Sequence, residues 1–167
     1  MPFPHLTTSS PTHAVEWRNG QVVDLGGLNG APDSAAYGIN DSDDIVGAST
    51  VGSDGVLLHA FLYHQGKMTD LGTVEGDTES SAASINNRGE IVGSSYIPAP
   101  FSTRAFIYEN GHMYDLNKRI DPTSPLADVV HLHEAVAINS LGWIAANGTD
   151  SRDDLQHAYL LIRNATP

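Results

Sequence analysis

From about residue 12 onward the chain alternates short apolar runs with turn residues. The run L-H-A-F-L-Y-H ends at Gln65-Gly66, and K-M-T-D-L-G follows it. The same arrangement surrounds Asn19-Gly20 and Asn110-Gly111. Asn-Gly between apolar runs predicts a two-residue hairpin, because both positions accept positive φ. A second kind of hairpin is predicted in A-S-I-N-N-R-G-E-I-V-G. There Asn86 opens a turn with a side-chain acceptor and Gly89 takes the left-handed position. Asn40 and Asn139 repeat the opening role and Gly142 the closing one, with Asp43 standing in the first copy. No window keeps a 3.6-residue apolar period, so long helices are not expected.

The pattern repeats. His13-Ala14, His59-Ala60, Arg104-Ala105 and His157-Ala158 recur at intervals of 46, 45 and 53 residues. Ile39-Asn40, Ile85-Asn86 and Ile138-Asn139 recur at 46 and 53, and Asp24-Leu25, Asp70-Leu71 and Asp115-Leu116 at 46 and 45. The last copy therefore carries an inserted loop between Leu116 and Ile138. Four short strands per unit at a period near 45 predict an all-β, β-propeller-like architecture with about three four-stranded blades. The order within a blade is A-x-x-I-N innermost, then I-V-G, H-A-F and D-L-G. The predicted boundaries are a tail at 1–11 and a repeat domain at 12–163. Its copies span about 12–57, 58–102 and 103–156, with a terminal strand at 157–163.

Three blades are too few for a ring that needs four to eight, and an open stack exposes free strand edges. A homodimer closing the propeller at about six blades is therefore the expected assembly. The alternatives are a trimer, or a piece of a longer chain that closes within itself. The consensus H-A-F-L-Y…G…M…D-L-G…S-x-A-x-x-I-N-x-x-G-x-I-V-G-x-S resembles the HAF-type probable extracellular repeat family over about residues 12–163. The likeness is close from His59 to Ser95 and departs at Val15-Glu16-Trp17, at Arg104 and at W-I-A-A-N-G. The resemblance implies a propeller-like fold and an extracellular or periplasmic setting of bacterial type. It implies no catalytic residues.

Composition narrows the partners. Asp and Glu number 20 against 8 Lys and Arg, a surface that repels phosphate backbones, so nucleic acid is not expected as a partner. No apolar run reaches the roughly 18 residues of a membrane helix. The start, M-P-F-P-H-L-T-T-S-S, lacks the basic and apolar regions of a secretory leader. Cysteine is absent, which removes disulfides and thiol chemistry.

The alternating connectivity gathers the tight turns at one end of the blades and the long loops at the other, where function usually concentrates. Candidate catalytic groups there are Asp77, Asp128, His133, Glu134 and Asp154. Candidate ligand contacts are Asp54, Glu75, Glu79, Asp121 and His131. A pair of these carboxylates suits glycoside hydrolysis. The stretch Glu75–Glu79 suits Ca²⁺, and solvated loop acids are the plain alternative. In an extended segment His131 and His133 share a face, a geometry open to Zn²⁺, to an imidazole role or to a polar strand contact. No cofactor is specified. Binding of a glycan or protein through the loop face is the expected function, with a carbohydrate hydrolase as the alternative. His13, His59 and His157 occupy equivalent blade positions and are expected to be structural.

Overall fold

The computed structural model describes residues 11–52, 56–97 and 102–163. They form thirteen strands and two short 3-10 turns, at Leu28–Gly30 and Leu116–Arg119. A hairpin pairs β1 (Val15–Arg18) with β2 (Gln21–Asp24). The first full sheet holds β3 (Ser34–Ile39), β4 (Ile45–Val51), β5 (Leu57–His64) and β6 (Lys67–Asp70) in that spatial order. The second holds β7 (Glu79–Ile85), β8 (Ile91–Ile97), β9 (Ser102–Glu109) and β10 (His112–Asp115). The third has three strands, β11 (Val130–Ile138), β12 (Ile144–Asp150) and β13 (Leu155–Leu161). Every pairing is antiparallel. The expected strand order is thus observed, as is the all-β class. The described residues of one chain form four sheets and no closed ring.

The turns follow their residues. Asn19, Gln65 and Asn110 take φ of 51°, 49° and 53°, each followed by a Gly near 80°. Asp43 sits at φ 61°, where the other copies use Gly89 and Gly142. The I-V-G glycine has a separate cause. Each first strand bulges, between Ala36 and Gly38 and between Ala82 and Ser84. A Cβ at Gly47 would lie 1.9 Å from Ala35 O, and one at Gly93 2.0 Å from Ser81 O. β11 carries two bulges, and there the crowded position moves to Gly148. The insertion therefore does not end in a loop. Residues 130–134, including His131, His133 and Glu134, form the start of a nine-residue strand.

Successive sheets pack face to face, β7 against β3, β4 and β5, and β11 against β7, β8 and β9. Each junction repeats one core. Ile45, Phe61, Tyr63 and Met68 pack back toward the hairpin's Ala14 and Leu25. Ile91, Phe106, Tyr108 and Met113 do the same against Ala60 and Leu71. Serines clasp the junctions. Ser34 Oγ accepts from Ala14 N and donates to Gly26 O, and Ser80 Oγ treats Ala60 N and Gly72 O alike.

Candidate functional site at the loop end

The two ends of the stack differ in chemistry. At the tight-turn end, side chains are used up in tying sheets together. Asn40 Nδ2 donates to Asn86 O at 3.2 Å, and Asn86 Nδ2 to Asn139 O at 3.0 Å. Each Asn Oδ1 also accepts two backbone N–H groups of its own turn. Asp41 and Asn87 bond reciprocally, Arg88 reaches Ser140 O, and Arg163 pairs with Glu90 and Glu109. The repeated histidines also serve the scaffold. His13 Nδ1 donates to Asp24, and His59 Nδ1 to Asp70, closing the outer strand pair of each sheet. The hydrogen bond to the Asp24 carboxylate raises the His13 pKa. Arg104 takes the third such position and bridges Asp77 and Asp115. Among the described residues His157 faces no fourth strand, and it turns to Asp153 at 3.1 Å.

The loop end brings some expected residues together and separates others. His131 and His133 stand with ring centroids 4.8 Å apart. His131 Nε2 donates to Thr103 O at 3.1 Å, and His133 Nε2 hydrogen-bonds with Thr149 Oγ1 at 2.7 Å. Burial, and then the neighbouring His131, push the His133 pKa down. Glu134 is exposed and meets Asn147 at 3.5 Å. The Asp77 side chain is fully covered and pairs with Arg104, which stands where the other copies have His. Asp121 caps the turn at Thr123, while Asp128, Asp154 and Glu75 are exposed and Glu79 is half-buried. Asp54 lies outside the described residues. Among the described residues, no group of three His, Asp or Glu side chains is placed to hold a metal ion, so the His131–His133 pair finds no third ligand there.

Two features escaped sequence reading. Asn117, where other copies have Gly, bridges Leu132 through both backbone groups, with Oδ1 accepting from N at 2.7 Å and Nδ2 donating to O at 3.0 Å. It replaces the serine clasp, whose place on β11 is taken by Leu132. The second is a cavity of about 680 Å³ between β9, the segment 116–126 and the third sheet. Its sequence signal is the H-A-Y-L-L phrase with no D-L-G partner. Comparisons with protein-family models, curated proteins and solved structures found no match to this chain.

Proposed function

We propose that this chain is a propeller-type binding module whose sheets are blades, completed by a second copy of itself. Its ligand, a glycan or a protein surface, docks on the loop end. The carrying observation is the asymmetry of the stack: the tight-turn end spends its polar groups on sheet-to-sheet bonds, while the loop end keeps exposed Glu75, Asp128, Asp154 and His131. Rigid sheets presenting free polar loops are how such scaffolds usually bind. The HAF-type resemblance supports an extracellular or periplasmic setting. Hydrolysis gains no comparable support, since Asp77 is shut from solvent against Arg104. A glycan and protein-ligand panel tests the proposal. Alanine at Asp128, Asp154 and His131 together should lower affinity at least tenfold, while alanine at Asn19 or Lys67 leaves it unchanged. Equal losses from both sets, with folding intact, would overturn it.

A further inference from the structure

The repeat supplies a template for what its two ends lack. In the first full sheet Phe61, Tyr63 and Met68 fill one junction, and in the second Phe106, Tyr108 and Met113 fill the next. The third sheet has the equivalents Tyr159 and Leu161, but among the described residues no fourth strand supplies the third side chain. The cavity of about 680 Å³ lies there, lined by Ile107, Leu116, Ile120, Leu126 and Ile144. At the opposite end, the hairpin β1–β2 carries the matching trio, Val15, Trp17 and Val22, which the described residues leave largely exposed. Trp17 is 72% exposed and Val22 53%.

The complementary lack is equally specific. Among the described residues the hairpin has the outer two strands of a blade and no inner two. Ile85 and Ile138 are 6% and 8% exposed against the preceding sheet, whereas the equivalent Ile39 is 62% exposed. A groove of about 670 Å³ runs between β1 and β3 at that place, lined by Trp17, Tyr37, Ile39 and Ile45 among others. On the facing side Leu160 is 62% exposed where its equivalent Ile107 is 3%. Asn139 Nδ2, unlike those of Asn40 and Asn86, has no hydrogen bond to a following turn among the described residues.

We infer that the two grooves are halves of one exchanged blade between two copies. The hairpin β1–β2 of one copy sits on β11–β12 of the other, β1 taking the edge of β12 that β13 holds in the single chain. Val15, Trp17 and Val22 then fill the cavity, and β12 enters the groove to cover Ile39. Exchange of equivalent elements between protomers is a low-cost route to dimers. The hairpin offers two strands locked by the His13–Asp24 bond, while β13 is held along one edge and largely exposed.

The inference rests on the second-copy reading, and disulfide trapping separates the two. Ala145 and Leu160 are direct partners in the single chain, while the template pairing of Val46 with Leu62 predicts Ala145 opposite Glu16 of a second copy. The chain has no cysteine of its own. Oxidised A145C/E16C should run as a covalent dimer on a non-reducing gel. A145C/L160C should lock β13 in place and leave a monomer in light scattering, reverting to dimer on reduction. A dimer that persists with β13 locked overturns the exchange and leaves the second-copy reading standing. A wild-type monomer at micromolar concentration overturns both.

Discussion

Replacing Asn86 by Ala removes both halves of a junction at once, and its cost can be worked from the bonds lost. Asn86 is buried; its Oδ1 accepts from Arg88 N at 3.0 Å and Glu90 N at 3.1 Å, and its Nδ2 donates to Glu90 Oε2 at 2.5 Å and Asn139 O at 3.0 Å. A typical intramolecular hydrogen bond contributes about 1 kcal/mol net, and a buried partner left unpaired costs more. Asn139 is exposed and Glu90 buried, so the Glu90 side of the junction bears the larger penalty and the expected loss is about 2–4 kcal/mol. At about 2–4 °C per kcal/mol for a chain of this size, the melting temperature should fall by roughly 4–16 °C. Position in the stack sets the comparison. Asn40→Ala should cost less, because that turn is half-buried, and Asn139→Ala least, because it is exposed and has no onward bond from Nδ2 among the described residues. Asn86→Asp separates the roles: it keeps the turn acceptor but loses the Nδ2 donor and sets a carboxylate beside Glu90. If the ladder matters, Asp should destabilise nearly as much as Ala. Thermal and urea unfolding of the four variants, followed by circular dichroism, measures this; equal losses in the three alanine variants, or the largest loss in Asn139→Ala, would show that the ladder does not hold the sheets.

Further expectations are more local. Phe61→Ala should cost about 3–5 kcal/mol by opening a cavity at a fully buried position, read as a lower urea midpoint; a loss under about 1 kcal/mol would contradict the shared junction core. Gly93→Ala should prevent a folded state, because the new Cβ would lie 2.0 Å from a backbone oxygen; a native-like spectrum would contradict the placed bulge. His133 favours its neutral form when folded, so its contribution is complete above the unfolded pKa near 6.5 and declines as pH falls through that value. His13 behaves oppositely, since its raised folded pKa makes its contribution full below about 6.5 and lost as pH climbs through the folded value. NMR titration of the two imidazoles should give apparent pKa values on opposite sides of the ordinary one. The hydrogen bonds from Arg152 hold Asp150 at about 2, so Arg152→Ala should move that carboxyl upward in a carbon-detected titration, and an unmoved value would refute the pairing.

Turns and strand order were legible in the sequence because each depends on one or two residues with narrow backbone needs. Asn-Gly pairs mark the outer hairpins, and Asn86 with Gly89 marks the inner ones. The register was not legible. A bulge leaves no composition signature, and only the Cβ clash at Gly47 and Gly93 explains why I-V-G ends in Gly and why the third sheet moves it to Gly148. The extension of β11 through His131 and His133 was hidden for the same reason, since insertion length alone does not divide residues between loop and strand. At the loop end, sequence placed His131 and His133 on one face. It could not foresee that Asp77 would be buried by Arg104, a pairing across 27 positions of chain. Asn117 stands where the other copies have Gly, and nothing in its neighbourhood along the chain shows that its side chain does the bridging that serine does elsewhere.

Light scattering of the wild-type chain at micromolar concentration decides whether the exposed sheet faces at both ends are completed by a second copy, as proposed. The expected mass is twice 17.8 kDa, falling to that of one chain when Trp17 is changed to Glu. A stable, folded species of 17.8 kDa across the concentration range would contradict it.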